Sequence, residues 1–211
     1  FCEPAGAPSL HDSLAAGKRL KLAKVDNFVD GAAVAEIGRE PLRYLKEFAA
    51  DTVRLIPENR LCATMIEMLN VEGVVLEPAG ALAIDALKDF SRKEIRGKTI
   101  VAVVSGGNFD FERLPDVKER AVRYEGLKKY FIIRFPQRPG ALRDFLEMLG
   151  PDDDIARFEY LKKSARNFGS VLIGIETKDR RNFDLLKANF EAEGVQYQDI
   201  TDNETLAGFI I

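Results

Sequence analysis

Lys98-Thr99-Ile100-Val101-Ala102-Val103-Val104-Ser105-Gly106-Gly107-Asn108 decides the fold class. Its apolar core is β-branched apart from Ala102 and too short for a buried helix. A polar pair precedes it, and a hydroxyl and two glycines follow. Such a run reads as a parallel strand covered on both faces. Working backward, Val74-Val75-Leu76 reads as a strand leading into Glu77-Pro78-Ala79-Gly80-Ala81 and a small-residue helix to about Phe90. Residues 52–56 alternate as a strand and lead into a helix over 57–70, with Leu61, Met65, Met68 and Leu69 along one side. Before them come a helix over 41–50, marked by Leu42, Leu45 and Phe48, and a short helix over 8–17 opened by proline and closed by glycine. Strands alternating with helices predict an open α/β sheet.

Downstream, a helix is expected over 110–123, and from Leu127 the pattern changes. Strands are expected over 130–135, 155–163, 170–177 and 195–199, and helices over 139–150 and 181–193. Asn167-Phe168-Gly169 is expected to turn between the two middle strands. The order βαββαβ is that of a ferredoxin-like unit. Glu125-Gly126 and a run of charge place a boundary there, giving domains 1–124 and 125–211.

The 211 residues, 46% hydrophobic and 31% charged, describe a globular chain rather than a disordered or collagenous one. Lys and Arg number 31 against 34 Asp and Glu, for a net charge of −3. Bulk electrostatics therefore give no reason to bind nucleic acid or an anionic membrane, and such a partner would need a local patch. Cys2 and Cys62 stand in no metal-ligand or CxxC spacing and are expected as reduced thiols, Cys62 in a core. With His11 the only histidine, no metal centre and no Ser/His/Asp triad is expected. No apolar run suits a membrane helix, and a cytoplasmic setting is expected. Asp152-Asp153-Asp154 reads as a solvated turn, and Lys18, Lys21, Lys24 and Lys98 as solvated lysines. The chain opens with Phe1-Cys2-Glu3-Pro4, as if inside a strand, and is read as part of a longer polypeptide.

Ligands of open α/β sheets bind at the carboxyl ends of strands. Ser105, Gly106 and Gly107 follow one such end, where a hydroxyl and two bare backbone units admit a flat or phosphorylated ligand; they serve equally as a strand-to-helix turn. The absence of GxGxxG and of a GKS or GKT sequence excludes a dinucleotide fingerprint and a P-loop. Glu77 offers a carboxylate one strand earlier, or pairs with a lysine, or caps the helix whose first turn holds Pro78. Asp30-Gly31 is an ordinary turn or a ligand loop. Pro139, Gly140, Ala141 and Leu142 join a strand to a helix. They form either a tight loop or a corner where helix N–H groups receive an amino-acid carboxylate.

Glu3-Pro4-Ala5-Gly6-Ala7-Pro8-Ser9, Val29-Asp30-Gly31-Ala32-Ala33-Val34, Glu77-Pro78-Ala79-Gly80-Ala81 and Ser105-Gly106-Gly107-Asn108, in this order, resemble the later part of the biosynthetic threonine dehydratases. Phe135-Pro136-Gln137-Arg138-Pro139-Gly140-Ala141-Leu142, with the βαββαβ tail, resembles their ACT-like regulatory domain. The resemblance covers essentially the whole chain and implies a fold-type II enzyme using pyridoxal 5′-phosphate. It implies conversion of L-threonine to 2-oxobutanoate and ammonia on the way to isoleucine.

The resemblance further implies that Ser105 bonds the pyridine nitrogen and that Gly31 lines the cofactor's other edge. Glu77 would stand in the pocket wall, and Gly106 and Gly107 would shape its floor. That family's Schiff-base lysine and glycine-rich phosphate loop lie upstream of everything matched, so no catalytic residue is assigned here and the chain alone is expected to be inactive. A single tail unit implies inhibition by isoleucine opposed by valine, with Pro139, Gly140, Ala141 and Leu142 as effector contacts. A homo-oligomer, completed by the N-terminal part, is expected. The alternative is an amino-acid-sensing regulatory fragment without catalysis.

Overall fold

A computed structural model describes residues 1–161 and 168–203. The chain divides into two compact units, Phe1–Ala121 and Val122–Ile211. In the first, β1 (Cys2–Pro4) and β2 (Arg54–Ile56) pair in parallel, with Cys2 opposite Arg54 and Pro4 opposite Ile56. Between them lie α1 (Ser9–Ala15) and α2 (Arg39–Leu45). The loop after Pro4 returns to α1 because the buried Glu3 carboxylate accepts the Leu10 and His11 backbone N–H groups at 2.8 and 2.9 Å. These are donors that a helix start otherwise leaves unpaired.

Next come α3 (Glu58–Glu67), a π turn over Met68–Glu72 stopped by Gly73 at φ +66°, α4 (Pro78–Asp85), α5 (Arg92–Ile95) and α6 (Leu114–Tyr124). The core gathers Ile56, Leu61, Cys62, Ala81, Leu82 and Val117. Cys62 is a core thiol as expected, and burial pushes its pKa up to about 12.

In this unit two expected strands do not form and two expected helices start elsewhere. Residues 100–104 and 74–76 form no strand. Val101 is 82% exposed and Val103 70%. A buried parallel strand needs backbone partners along its edges and covered faces, and among the described residues of this unit β1 pairs with β2, beside an isolated bridge of Lys21 with Glu36, and neither run is paired. The helix expected from 41 begins earlier, at Arg39, and buries none of its residues. The helix expected from 110 opens as a 3₁₀ turn over Phe111–Arg113, before α6.

The second unit is a four-stranded antiparallel sheet of β3 (Lys128–Pro136), β4 (Asp154–Leu161), β5 (Phe168–Glu176) and β6 (Tyr197–Asp199), in the order β4-β5-β3-β6. With α7 (Ala141–Leu146) and α8 (Asn182–Ala192) this is the ferredoxin-like arrangement. Phe131, Ile133 and Phe135 of β3 and Val171, Ile173 and Ile175 of β5 alternate onto one face, where Phe145, Phe183 and Phe190 pack. Gly174 stands opposite Tyr130, whose ring lies where a Cβ would be. Phe168 and Gly169 lie in β5 rather than in a turn, and Asn167 falls outside the described residues. Proline at 139 precedes α7, which is shorter than the helix expected over 139–150.

β6 is short and is fastened by side chains. Burial alone would raise the Asp199 carboxyl. Hydrogen bonds from the Thr201 hydroxyl, Lys187, the Thr201 backbone and Lys129, at 2.6, 2.9, 3.1 and 3.1 Å, hold it well below the carboxylate range instead. A carboxyl depressed on folding adds stability that is complete above its unfolded pKa of about 3.9 and is lost as pH falls toward the folded value. Asp199→Asn is therefore expected to cost this unit about 2 kcal/mol at pH 6. At pH 3 the cost shrinks. Urea midpoints at the two pH values measure it, and an equal cost at both would refute the assignment.

Candidate functional site

α4 begins where three loop segments meet. Pro78 occupies the first turn, and Glu77, extended at ψ 161°, is the preceding cap residue. Its side chain makes no capping hydrogen bond and no ion pair among the described residues, which removes both structural roles open to it on sequence. The half-buried carboxylate instead lies against glycines. A Cβ on Gly106 would stand 1.7 Å from Glu77 Oε1, and one on Gly31 would stand 3.7 Å from it and 3.0 Å from the Ala79 Cβ.

The backbone of 105–107 is equally close to α4. A Cβ on Gly80 would meet the Gly106 carbonyl oxygen at 1.9 Å, and the Glu77 N–H reaches that carbonyl at 3.4 Å. Gly107 passes the Val75 carbonyl, 3.4 Å from where its Cβ would be. Gly31, Glu77, Gly106 and Gly107 are thus brought together. Ser105 beside them is exposed and makes no hydrogen bond among the described residues.

The loop carrying Gly31 is anchored by a residue that the sequence pattern does not single out. Arg113 donates to the Phe28 carbonyl at 2.6 Å, reaches Asp30 at 3.4 Å, and lies over the Phe28 ring at 5.1 Å. Asp30 in turn accepts the Gly31 N–H at 3.0 Å. Arg120 covers the same ring at 4.3 Å. Nothing in a span of more than eighty residues marks this contact in advance.

In the second unit, Gly140 adopts φ +82°, a conformation that favours glycine. The Ala141 N–H is taken up by the Arg138 carbonyl at 3.3 Å. Leu142 is exposed. Ala141 instead borders a cleft of about 680 Å³, closed by the end of β3, α7 and the turn after α8. Pro139, Gly140 and Leu142 do not line it. The cleft offers cations at Arg134 and Arg138, carboxylates at Asp144, Glu147 and Glu193, and apolar surface at Phe145 and Met148. Arg138 bonds Asp144 at 2.6 Å.

The glycine cluster fits part of a flat, hydrogen-bonding cofactor. Among the described residues a carboxylate is held without a cation and one hydroxyl has no partner, while the glycine faces are filled by Glu77 against Gly106 and by the Gly106 backbone against Gly80. The described residues there include no cradle for a phosphate.

Comparison with known proteins gives the family. Residues 1–106 match the family of pyridoxal-phosphate dependent enzymes, and residues 119–210 match the C-terminal regulatory domain of threonine dehydratase. The chain is 49% identical over 211 residues to the L-threonine dehydratase biosynthetic IlvA of Halalkalibacterium halodurans, covering all of this chain and 50% of that protein. It is 46% identical over 210 residues to the Bacillus subtilis protein of the same name, covering 99% and 49%. The chain spans about half the length of the curated relatives it matches. Among solved structures, the processed form of threonine deaminase isoform 2 from Solanum lycopersicum superposes with a TM-score of 0.51 at 36% identity, over 57% of this chain and 35% of that one. Similar along its whole length to biosynthetic threonine dehydratases, the chain belongs to the pyridoxal-phosphate dependent enzyme family.

Proposed function

We propose that the chain forms the later part of a threonine ammonia-lyase, residues 1–124 contributing one wall of the catalytic site and residues 125–211 an effector domain. The carrying observation is similarity unbroken through both units, at 49% over all 211 residues. When bound, pyridoxal 5′-phosphate supplies an electron sink for removing a proton from Cα and the hydroxyl from Cβ of L-threonine, giving 2-oxobutanoate and ammonia. In this reading Ser105 presents a neutral hydroxyl to the pyridine nitrogen, which leaves that nitrogen unprotonated and suits β-elimination. Gly106 and Gly107 keep the floor low enough for a ring to lie on backbone. Glu77 keeps a carboxylate in the wall, and Gly31, anchored through Asp30 and Arg113, bounds the far edge. The family's lysine lies upstream of the matched residues, so the chain needs its N-terminal companion to turn over substrate.

The second unit would take isoleucine or valine in the cleft beside Ala141, where an α-carboxylate meets arginine, an ammonium meets a carboxylate, and a branched side chain meets Phe145 and Met148. Gly140 sets the backbone turn that places Ala141. Calorimetric titration of the chain with L-isoleucine is expected to give saturable binding that L-valine competes for and L-lysine does not. Gly140→Val, forcing a β-branched residue to a positive φ, is expected to weaken binding about tenfold or more by displacing that wall. Absence of binding at millimolar isoleucine would overturn the effector reading. A fully functional valine variant would remove Gly140 and its neighbours from the site.

A further inference from the structure

Between α1 and α2 lies a second cleft, of about 570 Å³, which shares no residue with the glycine cluster. Lys18, Arg19, Arg39, Arg43 and Lys46 line it, and no carboxylate does. At the chain's own proportion of Lys and Arg, its nine lining positions would carry about one cation. Local structure gathers these five. Arg39, Arg43 and Lys46 fall four and three residues apart along α2 and its end, which sets them on one helix face. Gly17, at φ +64°, turns the chain after α1 so that Lys18 and Arg19 border the same space.

Two of the five are matched within the chain. Arg19 pairs with Glu36 at 2.8 Å and Arg43 with Glu40 at 3.1 Å. Lys18, Arg39 and Lys46 have no ion-pair partner among the described residues. Complementing the carbonyl end of a helix accounts for cations at the end of α2, but Arg39 stands in its first turn, where the helix dipole opposes positive charge. An anion beside it would offset that opposition. Ser13, on the cleft wall, is already engaged: its hydroxyl donates to the Ser9 carbonyl at 2.6 Å and accepts the Leu20 N–H at 3.1 Å. Leu14 and Leu42 add apolar surface, and the volume suits a small organic ligand.

We propose that this cleft binds a small organic polyphosphate, with Lys18, Arg39 and Lys46 meeting the phosphate charges and Leu14 and Leu42 the uncharged body. This does not depend on the reading of the glycine cluster, whose cofactor carries one phosphate.

The full chain is titrated calorimetrically with inorganic tripolyphosphate, with pyrophosphate, with ADP, and with orthophosphate at 0.1 M salt. Saturable binding of tripolyphosphate and ADP is expected at submillimolar concentration, with orthophosphate at least tenfold weaker. ADP binding tighter than pyrophosphate would identify the apolar surface as part of the site. Arg39→Gln and, separately, Lys46→Gln are each expected to weaken tripolyphosphate at least fivefold, with an unchanged thermal midpoint. Lys178→Gln, in the other unit, should leave binding as it is. Two variants guard against one failing to fold. Absence of saturable binding, insensitivity to both substitutions, or stoichiometric displacement of tripolyphosphate by pyridoxal 5′-phosphate would overturn the proposal.

Discussion

Asp85→Ala is expected to destabilise the first unit by about 3–5 kcal/mol. Asp85 is completely buried near the end of α4. Its carboxylate accepts from Arg60 Nε at 2.7 Å and from the Thr64 hydroxyl at 2.5 Å, with Lys88 Nζ at 4.0 Å. Arg60 is itself nearly buried, and its Nη2 has no partner among the described residues. Removing Asp85 would leave the guanidinium with Asp89 alone, at 2.5 Å, and the Thr64 hydroxyl with only the long contact to the Arg60 carbonyl at 3.4 Å. The Asp89 hydrogen bond does most to hold the Arg60 pKa up, with burial opposing it and Asp85 next in support. The stability cost nevertheless concentrates on Asp85, because Asp89 keeps a quarter of its side chain in water, where an ion pair contributes about 0–1 kcal/mol. Hydrogen exchange of peptides spanning α3 and α4 in a urea series measures both variants within the first unit. Equal losses for Asp85→Ala and Asp89→Ala would refute the ranking.

Gly80→Ala is expected to act in the opposite way, sparing the fold and damaging the site. The added Cβ would lie 1.9 Å from the Gly106 oxygen and 2.8 Å from its carbonyl carbon, both backbone atoms that cannot rotate aside. α4 is held by buried Pro78, Ala81 and Leu82, so the stretch 105–107, exposed on either side of a half-buried Gly106, must move by about 1.5 Å to restore ordinary contact. A misplacement of that order at positioning groups costs about a hundredfold in kcat/KM. In the complete enzyme, threonine deamination and a visible-absorption titration of the cofactor are expected to fall together, while the thermal midpoint stays nearly constant. Gly106→Ala should cost less, since its Cβ meets the end of the Glu77 side chain, which can swing away. Unaltered turnover in Gly80→Ala would dissociate this contact from catalysis.

The second unit was readable almost strand by strand, because alternating apolar residues in β3 and β5 report a face that is buried within the unit itself. The first was readable in its helices and in β2, yet not over 100–104 or 74–76. Continuous apolar runs report a demand for covering partners, and a pattern cannot show whether those partners lie among the same residues. At the site, the glycines and Glu77 stood out as strand-end groups, although the strands that were to carry them do not form. The choice between capping, pairing and lining was not, since it turns on which atoms approach the carboxylate. Arg113, which fixes the Gly31 loop, had no local signature, and the cationic cleft is assembled around two helix ends, with Lys18 read singly as solvated.

The strand order of the second unit also bears on how the chain is made. β3 emerges first but lies inside the sheet, flanked by β5 and β6, so its hydrogen bonds on one edge wait for residues 197–199 to leave the ribosome. During synthesis its apolar face can be covered by α7 and its other edge paired by β5, whereas its β6 edge stays open, a native contact spanning some seventy residues that late closure makes slow to form. The Asp199 clasp with Lys129, Lys187 and Thr201 then acts as the latch of a sheet completed only after translation has passed β6.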